Sequence, residues 1–235
     1  MNKNHRKNQF PKIGYDRDIA SSIRSNHIEL FELSEEIFNA AITLITDRKI
    51  DLRKARGVGS LTHNVSIGVY NKICKLFRGI YLLAGSGMSR EADILARSQF
   101  EAVLAYYFLM KPRLTLRQNG KKLDPVPGKS LTTKFRTSLY LARRAFESLR
   151  KVEYYARTPG FKQFAKKFNK ATLKTNAERW EAKIGPEWTK RLKRTRMYSG
   201  VKLKDLATSL GLNGAYDAAY WIYPKIVDTP NSKII

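Results

Sequence analysis

The chain has 235 residues, with 45 lysine and arginine side chains against 20 aspartate and glutamate, for a formal net charge of +25. That excess favours polyanionic partners and speaks against a surface built for neutral small molecules. A single cysteine, Cys74, excludes an internal disulfide and a cysteine-rich zinc site, and three histidines (His5, His27 and His63) leave little for a metal centre, so no metal or cofactor is expected.

The basic opening residues 1–12 have no apolar stretch behind them, which does not fit a secretory signal. The most apolar region, 94–110, is short for a membrane span and carries Arg97 and Glu101, so a cytoplasmic protein without a membrane partner is expected. Charge is uneven along the chain: residues 1–110 hold 16 basic and 11 acidic side chains, 111–204 hold 27 and 6, and 205–235 hold 2 and 3. The reading is a basic N-terminal arm at 1–25, a helical bundle core at 26–157, a basic region of short helices at 158–228 packed on that core, and a tail at 229–235.

Apolar residues at Leu30, Leu33, Ile37, Ala40, Ala41 and Leu44 recur at mostly three- and four-residue steps, predicting an amphipathic helix from Ile28 to about Asp47. Residues 51–60, with Gly57 and Gly59, read as a connection. A second helix is predicted over about 61–84 on Val65, Val69, Ile73, Leu76, Phe77, Ile80 and Leu83, stopped by Ala84-Gly85-Ser86-Gly87. Ser89 is expected to cap a third helix to about Met110. Lys111 to Gly128, with three prolines and two glycines, reads as a loop. Ser130 is expected to cap a fourth helix running to about Ala156. Shorter helical pieces follow at about 160–170, 172–184, 186–197, 202–210 and 214–227, punctuated by Gly185-Pro186, Gly200 and Gly211. Strand-period alternation is scarce. The fold class is therefore all-α, a bundle of about four long helices with several short basic C-terminal helices packed on one end.

The segment 78–101, a helix, a small-residue turn and a helix carrying Arg97-Ser98-x-x-Glu101, resembles a widespread bacterial family known only as domain of unknown function 5677. Tyr198-Ser199-Gly200, Leu206-Ala207, Gly211 and Tyr216-x-x-x-Tyr220 resemble that family's closing motif, for a likeness over roughly residues 30–228. The resemblance implies a helical fold and a bacterial or phage origin. Relatives commonly close with a serine and a histidine after the tyrosine, where this chain has Pro224 and Asp228. If those two residues carry chemistry in relatives, this chain lacks it.

Arg97 and Glu101, at i and i+4, admit two readings: a catalytic acid beside an electrostatic clamp, or a partly buried ion pair that fixes helix register, which is preferred. Arg56 and His63 fit the loose Arg-x(4–6)-His pattern of the small helical ribonuclease superfamily HEPN, in which the histidine serves as acid or base and the arginine neutralises charge. Gly57 and Gly59 inside the interval argue against one rigid helix presenting both. Lys202 to Ile222 resembles a helix-turn-helix, but Asp217 occupies a normally apolar place and the second helix offers Asn213 and tyrosines with no lysine or arginine, so a structural hairpin is preferred.

The densest basic run is Lys190, Arg191, Lys193, Arg194 and Arg196, preceded by Lys162, Lys166, Lys167, Lys170 and Lys174. Phe161, Phe164, Phe168, Trp180, Trp188 and Tyr198 are interleaved with them. Such lysines and arginines neutralise phosphates, while the aromatics either stack on unpaired bases or, as preferred, form the apolar face of their helices. The expected function is nucleic-acid binding, RNA ahead of DNA because no base-reading helix is evident. A HEPN-like metal-independent ribonuclease of a defence or toxin system, and a component docking on an acidic protein partner, are the alternatives.

Overall fold

The computed structural model describes residues 17–46, 58–123 and 130–222. Among them the chain is helical apart from one small hairpin. In chain order the elements are α1 (Arg17–Asn26), α2 (Ile28–Thr46), α3 (Val58–Ala84), α4 (Ser89–Met110), β1 (Arg117–Gln118), β2 (Lys121–Lys122), α5 (Thr133–Arg157), α6 (Lys162–Lys166), α7 (Lys170–Ile184), α8 (Pro186–Thr195), α9 (Leu203–Leu210) and α10 (Asn213–Asp217). A π-helical turn at Ala218–Ile222 follows α10 directly. The all-α expectation holds. Two compact units divide the chain, one of Met1–Lys49 with Cys74–Ala96, the other of Ile50–Ile73 with Arg97–Ile235.

In the first unit α1 occupies the end of the segment read from sequence as a basic arm, and α2 packs on the C-terminal part of α3 through aromatic pairs. Phe31 meets the Tyr81 ring edge-on at 5.3 Å, and Phe38 lies parallel to Phe77 at 6.5 Å. The Tyr81 hydroxyl donates to Glu35. At the α3–α4 approach there is no room for a side chain at Gly79, where a Cβ would come within 2.8 Å of Leu95 Cδ1. The helix stop expected at 84–87 is present: Gly87 takes a φ of +76°, and the Met88 amide bonds the Leu83 carbonyl at 2.9 Å.

The second unit holds the main core. Leu104, Phe108 and Leu109 of α4, Leu139, Ala142 and Phe146 of α5, Ile184 of α7, Trp188 and Leu192 of α8, and Leu206, Ala207 and Leu210 of α9 join in one buried cluster. Helix α7 packs against α5, and α8 against both. The short C-terminal helices therefore contribute Ile184, Trp188, Leu192 and Leu206 to the centre of the core, where all four are almost completely buried.

Two caps differ from expectation. The Met88 carbonyl accepts from Ala92 N, so Ser89 is already the first residue of α4. Helix α5 is capped by Thr132, whose hydroxyl accepts from Phe135 N at 3.2 Å, in place of Ser130, which lies one residue before Leu131 and out of reach of the first turn. The expected loop at 111–128 contains the hairpin, with Arg117 paired to Lys122 and Gln118 to Lys121 around Asn119-Gly120. Both turn residues have positive φ, +51° and +78°, as a two-residue hairpin turn requires.

Candidate nucleic-acid interface

Helix α5 stops at Arg157 because Pro159 cannot continue it and Gly160 turns the chain with a φ of +81°. Asn169 then caps α7, its Oδ1 accepting from Thr172 N at 3.1 Å. Between these two signals there is room only for the five residues of α6. A helix so short has no second turn to lay on the core, and its rings remain in water: Phe161 is 46% exposed, Phe164 52% and Phe168 49%. For these three the preferred reading as a buried apolar face is corrected. Trp188 is buried at 2%, and Trp180 and Tyr198 are partly buried against the core, as that reading requires.

The rings around α6 form a connected set. Tyr155 and Phe161 are nearly parallel, 14° apart at 5.7 Å, Phe161 lies 6.0 Å from Phe164, and Tyr154 joins through Tyr155 at 6.1 Å. Tyr154 is itself 62% exposed. These two tyrosines were missed by sequence reasoning. Their signal was position: they lie in the last turn of α5, directly before the Thr158-Pro159-Gly160 break.

The basic candidates fall into two groups at opposite ends of α7, whose 15 residues span roughly 22 Å at 1.5 Å per residue. At its start Lys162, Lys166, Lys167 and Lys170 are exposed, and no described carboxylate lies within 4.0 Å of any of them. Lys167 places its ammonium 5.5 Å from the centre of the Phe164 ring, and Lys174, one turn on, faces Glu178 at 3.8 Å. Beyond its end, α8 carries Lys190, Arg191, Lys193 and Arg194, with Arg196 at the C-cap in a left-handed conformation. Lys193 pairs with Glu181, and Arg191 lies over the Trp188 ring at 5.2 Å. The α8 run is thus partly engaged within the protein. The α6 group is the freer one.

A second constellation gathers residues far apart in sequence. The Tyr220 hydroxyl donates to Glu101 Oε1 at 2.8 Å, and Tyr198 donates to the Glu101 backbone carbonyl at 3.4 Å. Tyr216 and Tyr220 stack at 4.9 Å, both beside Phe100. Burial raises the phenol pKa of both Tyr198 and Tyr220, with the Glu101 hydrogen bond adding to it for Tyr220, so both remain protonated donors. Glu101 is exposed and Arg97 makes no ion pair with it within 4.0 Å. Arg97 Nε is buried without a hydrogen-bond partner. The expected Arg97–Glu101 ion pair is thereby corrected: the tyrosine hydroxyl takes the carboxylate instead.

The profile of the family of unknown function DUF5677 matches residues 63–226. The chain belongs to that family. No curated protein and no solved structure matches it. The DUF5677 match contains both constellations: Arg97, Glu101, Tyr198, Tyr216 and Tyr220, whose motifs lie more than a hundred residues apart in the case of Glu101 and Tyr220, meet in one place, and the α6 rings and lysines lie between them in sequence. Pro224 and Asp228 lie outside the described residues.

Arg56 also lies outside them, and His63 stands exposed on the second turn of α3. The helix-turn-helix likeness resolves into α9, a left-handed turn at Gly211 with a φ of +80°, and the five-residue α10. Helix α9 holds the hairpin. Ser209 Oγ accepts from Arg117 N at 2.8 Å, Asp205 Oδ1 from Asn119 N at 3.0 Å, and the Leu210 carbonyl from Lys111 Nζ at 3.4 Å. Among the described residues no group of three or more metal-ligating side chains converges, and no helix is long and apolar enough to cross a membrane.

Proposed function

We propose that this DUF5677 protein is a bacterial or phage protein that binds nucleic acid in the cytoplasm, through the basic surface around α6 and α8, with RNA ahead of DNA. One observation carries the reading. Residues 160–204 hold 14 basic and 3 acidic side chains, and two of those acids, Glu178 and Glu181, are already engaged by Lys174 and Lys193, so most of the positive charge faces solvent uncompensated. Such a surface attracts polyanions, and each phosphate it neutralises releases counterions. The preference for RNA follows from α10, the second helix of the hairpin, which is one turn long and carries no lysine or arginine to read bases, and among the described residues no other helix-turn-helix takes its place.

The test is a salt titration of oligonucleotide binding by fluorescence anisotropy, on the wild type and on the variant Lys162→Glu/Lys166→Glu/Lys167→Glu/Lys170→Glu. These four lysines are chosen because reversing Lys193 would set two carboxylates against each other. Wild-type affinity is expected to fall steeply with salt, by a slope of roughly −0.7 to −0.9 per phosphate contacted. The variant is expected to bind more weakly across sequences and with a flatter slope, since phosphate contacts position without specifying. No binding near physiological salt, or equal binding by the folded variant, would assign the basic surface to another partner such as an acidic protein.

A further inference from the structure

We propose that the α6 elbow is a stacking platform for unpaired bases, so that the ligand taken there is single-stranded; the inference rests on the nucleic-acid reading above and narrows its ligand. Three phenylalanines within eight residues stand about half exposed, although a folding chain gains by burying each of them. The short helix explains how the rings come to be outside. It does not explain why rings, rather than polar side chains, occupy those places in a chain that puts lysine at the positions between them.

The chemistry around the rings answers that. Residues 154–177 contain no aspartate or glutamate, and Lys162, Lys166 and Lys167 alternate with Phe161, Phe164 and Phe168. Aromatic rings and ammonium groups therefore present together: Phe161 stacks on Tyr155 and lies beside Phe164, which has the Lys167 ammonium 5.5 Å from its centre. Duplex nucleic acid offers such a surface its phosphates alone, because its bases are already stacked. A single strand offers phosphates to the lysines and base faces to the rings at once, and every base has such a face, so the contact tolerates any sequence.

An anionic membrane is the other polyanion that exposed phenylalanines among lysines could meet. The residues favour nucleic acid. Interfacial helices lay a long apolar face into the headgroup region, whereas α6 has only five residues.

The test compares wild type with three folded variants, checked by far-ultraviolet circular dichroism: a ring variant (Phe161→Ala/Phe164→Ala/Phe168→Ala), a bulk-conserving variant (leucine at the same positions) and the charge variant described above. Each is titrated with a labelled single-stranded uridine oligonucleotide, a labelled duplex of equal length, and vesicles of phosphatidylserine in phosphatidylcholine. The single strand is expected to bind wild type at least about tenfold tighter than the duplex. The ring and leucine variants should lose about tenfold or more on the single strand and leave duplex affinity unchanged, as the loss of one or more base stacks predicts. The charge variant should lose both ligands. Unchanged single-strand binding by the ring variant, or an equal loss on both ligands, overturns the stacking platform while leaving the basic surface intact. Vesicle binding that survives in the leucine variant and fails in the alanine variant assigns the rings to a membrane and overturns it as well. Absence of all nucleic-acid binding by wild type removes the broader function together with this inference.

Discussion

Residues 161–168 and 186–198 both set aromatic side chains among basic ones, yet one places its rings half in water and the other places Trp188 at the centre of the core. The difference is helix length. Helix α8 begins at Pro186, where proline costs no hydrogen bond, and runs long enough for Trp188 and Leu192 to share a face at i and i+4. That face meets Phe135 of α5, whose ring stands 5.9 Å from the tryptophan at 70°. Around α6 the phenylalanines have comparable spacing, but Gly160 precedes the helix and it stops at Lys166, so Phe168 falls beyond the break and no two-turn stripe forms. Aromatic–basic interleaving therefore states a composition. The start and stop signals on either side decide whether it becomes core or contact surface.

The sharpest way to break this comparison is to remove the buried ring. Trp188→Ala is expected to cost about 3–5 kcal/mol, the range for truncating a large aromatic in a packed core. Thermal or urea unfolding measures it. A loss below about 1 kcal/mol would place Trp188 at the surface with the α6 rings and erase the contrast.

Gly200→Ala comes next. Its Cβ would lie 2.8 Å from Trp188 Cζ3, and the backbone there has a φ of +72°, a conformation that side chains rarely adopt. Overpacking of that kind costs roughly 1–3 kcal/mol. The same measurement on Trp188→Phe, and on the double variant, isolates the clash: the coupling between the two sites should be favourable, because the smaller ring makes room for the methyl. Strict additivity would attribute the whole cost to the backbone.

A smaller effect is expected at the tyrosine cluster. With Glu101 exposed and bonded to Tyr220, Glu101→Gln or Tyr220→Phe should cost about 0.5–1.5 kcal/mol, the net worth of one hydrogen bond, rather than the larger loss that follows breaking a buried ion pair. The cluster also sets an alkaline limit. Because burial raises the phenol pKa of Tyr198 and Tyr220, the unfolded chain loses those protons first, so their contribution is fully present below the ordinary phenol value of 10.0 and declines as pH rises above it. A Tyr198→Phe/Tyr220→Phe variant should show a shallower fall of melting temperature above that pH than wild type.

Much of the fold was legible because its signals are local. The turn at Gly87, the stop at Gly211 and the Gly185-Pro186 junction each fix a boundary by backbone chemistry that neighbours cannot override. The hairpin was also written in the chain, as Asn119-Gly120, but its strands are two residues long and flanked by basic residues, so no alternation announced it. The meeting of Glu101 with Tyr220 was not legible as a contact. It depends on α4 and the C-terminal π-helical turn packing on one core, and nothing local to either stretch encodes the other. The α6 rings were misread for the opposite reason: their spacing is correct for a buried stripe, and only the absence of a second turn keeps them out.

The smallest stability change is expected where the binding change is largest. Phe161→Ala, Phe164→Ala and Phe168→Ala each truncate a ring that has about half its surface in water, and α6 contributes no residue to the buried core. Surface substitutions of this type usually fall within about 0.5 kcal/mol of wild type. The half of each ring that stays in water is exposed in the unfolded chain as well, so only the buried half and the ring–ring contacts count toward the cost. Chemical unfolding of each single variant beside Trp188→Ala should therefore separate the two regions by several-fold in free energy. A cost at any of the three positions approaching that of Trp188 would show that the ring is held for the stability of the elbow, and its half-exposed face would then need no ligand to explain it.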